Sequence, residues 1–196
     1  VPTGVHIRDV RGQLFAAAER VLVRDGPHAL TSRAVTTEAG CAKGVLHRHF
    51  ADFDAFLAEL VLDRIAAMDI QSAALRESAG TGAVADNLTD ALITVFQSVA
   101  VAIVALITFR DDLRARLRQV RPAVGVPVLT EAVAMIAAYL TAERDLGRIA
   151  ADDADVETLA RTLIGAGHLL FADRNGPTPN AEAVRNMVTT VLAGAW

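Results

Sequence analysis

Apolar residues recur three and four positions apart along almost the whole chain, a spacing that predicts helices separated by short breaks. Val10, Leu14, Ala18 and Val21 mark one face of a first helix over Arg8 to Arg24, stopped by Asp25-Gly26-Pro27. Thr31 can cap a second helix ending at Gly40, and a third short helix spans about Ala42 to His49. Asp52 can cap a fourth, long helix reaching about Glu77, with Phe56, Leu60, Ile65 and Met68 on its apolar side. Past Gly80-Thr81-Gly82, a fifth helix, apolar nearly all round, fills about residues 84–109, and an Arg-rich sixth runs from Asp111 to Gln119. Breaks at Pro122, Gly125 and Pro127 precede a seventh helix ended by Gly147. Asp152 or Asp153 caps the eighth, and Asn180, after Gly176-Pro177-Thr178-Pro179, caps the ninth. Period-two alternation never persists. The expectation is an all-α chain of about nine helices, with a small front part, residues 1–52, and a larger back part, residues 53–196.

Composition narrows the class. With 196 residues, 53% of them hydrophobic and 21% charged, the chain can bury a core without disulfides or metals and is not disordered. The single Cys41 excludes an intramolecular disulfide framework and gives no Cys-based zinc site. Ala91 to Phe109 runs nineteen residues without a charge, close to a bilayer span, but Thr94, Gln97, Ser98 and Thr108 interrupt it and no second such segment follows. It reads as a buried helix of a bundle, not a membrane anchor. Val1 to Arg11 lacks the apolar stretch of a secretory leader, so a cytoplasmic location is expected. No Glu-x-x-His, His-Glu-x-x-His, Gly-x-Ser-x-Gly or phosphate-loop pattern occurs, so neither an enzyme nor a cofactor is expected.

The stretch from Thr31 to Phe50 carries the candidate chemistry. A short helix, a glycine turn and a second short helix make a helix-turn-helix. Val35 and Ala39 face inward on the first helix, Gly40 supplies a left-handed turn, and Leu46 and Phe50 anchor the second helix. Lys43, Gly44, His47 and Arg48 are then turned outward, with Val45 beside them and His49 near the helix end. Such a face can donate to guanine acceptors and phosphates, while Thr31, Ser32 and Arg33 open the supporting helix where phosphates are held. Arg33, Lys43 and Arg48 against Glu38 give this stretch +2, so the remainder of a chain of net charge -4 sums to -6. The basic character is local, unlike that of a protein coating nucleic acid everywhere.

Arg11 to Asp63 resembles the DNA-binding domain of the tetracycline-repressor (TetR) family of bacterial regulators. The likeness lies in Leu14-Phe-Ala-Ala-Ala18, Gly26, Thr31, Val35 to Gly40, Lys43-Gly44, Leu46, His49-Phe50 and Leu57. Three positions depart from the family pattern: Ala42 where Ser or Thr is usual, His47 where Tyr is usual, and Phe53 where a basic residue often grips DNA. The resemblance implies a homodimeric transcriptional repressor on a palindromic double-stranded operator, released by a small-molecule effector bound in the back part. The alternative is a helical sensor that has lost sequence-specific DNA binding.

A dimer also follows from the residues. One short helix reads only a few base pairs, whereas two related by a dyad read half-sites about one helical turn apart. Leu159, Leu163, Gly167 and Leu170 in one closing helix, with Val184, Val188 and Val191 in the other, would form a four-helix interface. Phe96, Phe109, Met135 and Tyr139 are candidates to line an apolar or amphipathic effector's pocket. His47 and His49 point about 200° apart on a helix, against joint metal ligation with Cys41. Asp152, Asp153, Asp155 and Glu157 suit a helix start better than a calcium loop, which would need a turn glycine and other spacing. His168, amid an apolar helix, reads as an interface histidine.

Overall fold

The computed structural model describes residues 9–97, 99–122, 125–150, 152–172 and 176–193, apart from the side chains at 153 and 154. These residues form ten α-helices and no strand: α1 Val10–Asp25, α2 Ser32–Glu38, α3 Gly44–His49, α4 Phe53–Glu77, α5 Val84–Phe96, α6 Ala100–Thr108, α7 Asp111–Val120, α8 Leu129–Asp145, α9 Asp153–Phe171 and α10 Ala181–Leu192. A 3-10 turn, Pro27–Ala29, joins α1 to α2.

Side-chain caps set five of the ten helix starts. Thr31 Oγ1 accepts from the Ala34 N–H at 3.1 Å, Asp52 Oδ1 from Ala55 at 2.6 Å, and Asn180 Oδ1 from Ala183 at 2.8 Å. Of the two candidates before α9, Asp152 makes the cap, accepting from the Asp155 N–H at 2.8 Å. Asp9 does the same for α1 through Gly12 at 2.8 Å. One expectation is corrected. Residues 84–109 are two helices, α5 and α6, because α5 closes after Phe96 at the exposed Gln97, whose N–H bonds the Ile93 carbonyl at 2.8 Å. No single helix among the described residues is long and apolar enough to cross a membrane. Leu88, Leu92, Ile103 and Ile107 of this stretch are wholly buried in the protein.

The chain divides into two compact units. The first comprises Val1–Leu60 and Ala105–Pro122. Its interior is aromatic: Phe50 meets Phe56 edge-on at 5.0 Å between ring centroids, and Phe15 lies 5.8 Å and 5.6 Å from them. Val35, Leu46 and Leu57 are fully buried beside them, and residues 105–122 contribute Leu106, Ile107, Leu113 and Leu117. The same segment is tied down by Arg116, which donates to both Asp52 carboxylate oxygens at 2.9 Å and 3.0 Å, and by Arg110, 3.4 Å from Asp54 and stacked over the Phe53 ring.

The second unit comprises Val61–Val104 and Ala123–Trp196. Leu88, Leu92, Ile136, Leu140, Leu163, Val184, Val188 and Leu192 are fully buried in it. Gly167 lets α9 lie against Phe96; a Cβ there would come within 2.5 Å of the ring. A buried polar knot fixes the end of α8. The Tyr139 hydroxyl donates to Glu143 Oε1 at 2.6 Å, Arg148 lies 3.0 Å from Glu143 Oε2, and the Gly80 N–H donates to the same oxygen at 3.3 Å. Burial, reinforced by the bond to Glu143, pushes the Tyr139 phenol well above its ordinary value. Glu143 has no exposed side-chain surface, so only these partners compensate its desolvation.

Candidate functional site

In the first unit α2 and α3 are joined at Gly40, which adopts φ +65°, the left-handed conformation expected of a tight helix-turn-helix. The Cys41 N–H bonds the Thr36 carbonyl at 3.0 Å and closes the turn. Thr36 is itself buried, its hydroxyl donating back to the Ser32 carbonyl at 2.9 Å. Inside, Val35 from α2 and Leu46 from α3 are fully buried, and Phe50 nearly so. With Leu46 and Phe50 fixed inward, the helical period turns the intervening positions out: Lys43, Gly44, His47, Arg48 and His49 are exposed, and Val45 is half-buried.

Electrostatics favour an anionic partner. Glu38, the one acidic residue of the stretch, is clamped from α1 by Arg20 at 2.7 Å and Arg24 at 2.9 Å. The Arg20 hydrogen bond, then that of Arg24, holds the Glu38 carboxyl below its ordinary value. Arg33, Lys43 and Arg48 make no ion pair among the described residues, so their charge faces solvent unneutralised. Lys43, as N-cap of α3, carries no side-chain capping bond, in line with the alanine at position 42. Thr31 and Arg33 are exposed at the start of α2, whereas Ser32 Oγ is enclosed without a partner among the described residues.

Two supporting pairings, Arg11 with the end of α3 and Arg116 with the capping Asp52, lay outside the sequence expectations. Arg11 of α1 donates to the His49 carbonyl at 3.3 Å, stacks 4.6 Å over the Phe50 ring and pairs with Glu59, so it holds the end of α3. Asp52 is held below the ordinary carboxylate range by its capping bond from Ala55 and then by Arg116. Neither pairing has a local signature, because the partners are 38 and 64 positions apart. Phe53 stacks on Phe56 at 5.7 Å beneath Arg110.

The second unit holds a cleft of about 280 Å³. Gln71, Ala74 and Leu75 of α4 with Ser78 just past its end form one stripe, and Asn87, Asp90, Ala91 and Thr94 the matching stripe of α5, both at the i, i+3, i+4, i+7 spacing of a helix face. Met135 of α8 completes the lining. Of the four residues expected to form a pocket, only Met135 lines this one. Tyr139 is buried in the polar knot, where Asn87 donates to its hydroxyl at 3.0 Å. Phe96 is buried against Phe171 at 5.7 Å, and Phe109 belongs to the first unit, 70% exposed, with its ring 5.9 Å from His28. The remaining lining residues were not anticipated; apart from Leu75 they are small or polar side chains at helical spacing, a pattern that an ordinary solvated helix face also shows.

The residues expected at a dimer contact divide as well. Leu163, Gly167, Val184 and Val188 are buried within their own chain, while Leu159, Leu170 and Val191 are half-exposed. Leu169, between them, is 78% exposed. His168 is half-buried, with its ring 6.3 Å from Phe96 and its Nδ1 enclosed without a partner among the described residues. No group of three or more His, Cys, Asp or Glu suited to a metal ion occurs among the described residues.

Residues 14–60 match the sequence profile of bacterial regulatory proteins of the tetR family. No curated protein matches the chain. Solved structures do. A TetR transcription regulator from Haloarcula marismortui superposes with a TM-score of 0.69 at 16% identity, covering 95% of this chain and 98% of that one. The reduced form of Escherichia coli NemR gives 0.70 at 16% identity, covering 95% and 97%. SmeT, the repressor of the Stenotrophomonas maltophilia multidrug efflux pump SmeDEF, gives 0.63 at 14% identity, covering 96% and 91%. At these identities the likeness is one of fold, and the matched segment is the one that presents the basic helix. Residues 14–60, with their helix-turn-helix, thus match the tetR family of bacterial regulatory proteins, and the described chain shares the fold of these solved regulators.

Proposed function

We propose that this chain is a transcriptional repressor that binds a palindromic operator as a homodimer and leaves it when a small molecule occupies the second unit. The observation that carries the reading is α3: Leu46 and Phe50 are buried, so Lys43, Gly44, His47 and Arg48 form an exposed face, with the exposed His49 at the helix end and no carboxylate among them. On this reading Lys43 and His47 face bases, with Gly44 and Val45 against the groove. Thr31, Arg33, Arg48 and His49 hold the phosphate backbone, and Ser32 adds to this once its hydroxyl turns outward. Residues 1–52 read DNA, and residues 53–196 dimerise and sense. Repression through DNA places the protein in the cytoplasm of a bacterium and calls for no catalysis.

The dimer is proposed to form through the outer faces of α9 and α10. Leu159, Leu169, Leu170 and Val191 make the contact, and Leu163, Gly167, Val184 and Val188 support it from within. The effector is proposed to enter the cleft between α4 and α5, with Met135 at its base and Phe96 and Tyr139 packed in the same unit.

The test is selection of bound duplexes from a random pool at a stated salt concentration, since phosphate contacts make affinity strongly salt-dependent. A palindromic consensus is expected. Failure to enrich any sequence, with and without a small-molecule library, from a protein that still dimerises would favour the alternative of a sensor without DNA recognition. The absent side-chain cap on α3 is the observation behind that second reading.

A further inference from the structure

We infer that the ligand of the α4–α5 cleft is a small amphipathic organic cation, an ammonium bearing N–H groups on an apolar body. The inference rests on reading the second unit as the sensing part and adds the chemistry of what it senses.

The polar groups in the cleft are nearly all acceptors. Thr94 commits its hydroxyl hydrogen to the Asp90 carbonyl at 2.8 Å, and Ser78 commits its own to the Leu75 carbonyl at 2.7 Å, leaving their oxygens to accept. Asn87 spends its amide hydrogens on the Thr81 carbonyl at 2.9 Å and the Tyr139 hydroxyl at 3.0 Å. Because the Thr81 carbonyl can only accept, the amide orientation is fixed, and Oδ1 is the atom left over. The Asp90 carboxylate is exposed at the cleft and makes no ion pair or side-chain hydrogen bond among the described residues. Among the described lining residues, Gln71 is the one side chain that still offers an N–H, and none is a Lys, Arg or His.

An anionic ligand would meet the like charge of Asp90 and acceptors it cannot satisfy. An ammonium would gain charge-assisted hydrogen bonds to Asp90 and neutral ones to the other oxygens. The apolar body has its own surface in the buried Leu75 and Met135. At about 280 Å³ the cleft sits at the small end of ligand pockets, which run roughly 300–1,000 Å³, so it suits one small molecule.

Three shape-matched probes test this by calorimetric titration of the full chain: 2-phenylethylammonium, 2-phenylethanol and phenylacetate. The ammonium is expected to bind most tightly and phenylacetate not to bind. Asp90→Asn keeps the shape of an exposed residue and is expected to weaken the ammonium by about tenfold or more while leaving the alcohol unchanged. Ala91→Phe, which fills the gap between the stripes, should abolish binding of both. Phenylacetate binding as tightly as the ammonium, an ammonium affinity indifferent to Asp90→Asn, or no binding by any probe would overturn the inference. A DNA-retardation assay separates it from the reading beneath it. Release of operator by a neutral or acidic compound retains the sensing role and overturns the cationic chemistry. Ammonium binding through Asp90 with no release supports the chemistry and overturns the sensing role.

Discussion

At Gly44 the proposed DNA contact makes a demand that the fold does not. A Cβ added there meets nothing within 4 Å, because the position lies on the open face of α3. Gly44→Ala should therefore fold at least as well, gaining up to about 1 kcal/mol of helix propensity. The same methyl stands where the duplex must approach, so DNA affinity should fall by about tenfold. A retardation assay that finds unchanged affinity would end the close-approach role. Lys43, its neighbour, tests a different contact. Lys43→Ala should cost roughly 1–3 kcal/mol of binding and relax the preference at one base position. Equal weakening on every sequence would reassign it to phosphate.

At the scale of elements, charge pairs fix which helices meet. Glu38 joins α2 to α1 through Arg20 and Arg24, and its carboxyl is held below the ordinary value of 4.5. A folded-state pKa lowered in this way stabilises the fold above the unfolded value and loses that contribution as pH falls through the lowered one. Asp52, also lowered, acts in the same direction. Glu38→Gln should thus reduce the chemical-denaturation midpoint at pH 7, and the gap to wild type should shrink as pH falls below about 4.5, where the unfolded-state carboxyl protonates, and close below the lowered native value. A gap constant with pH would show that the Arg20 and Arg24 pairs do not stabilise this contact. In the second unit, Glu143 ties α8 to the turn before α5 from a fully buried position. Glu143→Ala leaves Arg148 and the Tyr139 hydroxyl without their partner. It should destabilise by about 3 kcal/mol, the low end for breaking a buried pair, because Arg148 is itself 30% exposed. A loss well under 1 kcal/mol in denaturant titration would show that water replaces the carboxylate readily.

For the whole molecule, the proposed dimer would bring two copies of α3 to one duplex. Leu169 projects from α9 with 78% of its surface in water, flanked by the half-exposed Leu170 and, two turns and more away, Leu159. Apolar surface of this kind, on helices whose other faces already fill a core, is what supports placing the proposed dimer contact here. Leu169→Glu should leave the helical content unchanged, convert the protein to a monomer in sedimentation, and with it abolish tight operator binding. A variant that remains dimeric would place the interface elsewhere.

Local features were legible because they are decided locally. The caps at Thr31, Asp52 and Asn180, the left-handed Gly40 and the outward Lys43 to His49 face each depend on residues within a turn or two. Periodicity and hydrogen-bonding chemistry therefore determined them before any fold was known. It could say that α9 and α10 were apolar along one side, but not which partner each apolar position would find. The tertiary structure decided that Leu163, Gly167, Val184 and Val188 close the chain's own core while Leu169 does not. It also drew residues 105–122, Phe109 among them, into the unit of the reading helices, through partners as distant as Asp52 and Arg116. And it set the polar stripes of α4 and α5 against an unfilled space, making a cleft from side chains too small to close it. Such long-range pairings depend on which surfaces happen to meet once the chain is packed, and hydrophobic periodicity within a helix carries no record of that.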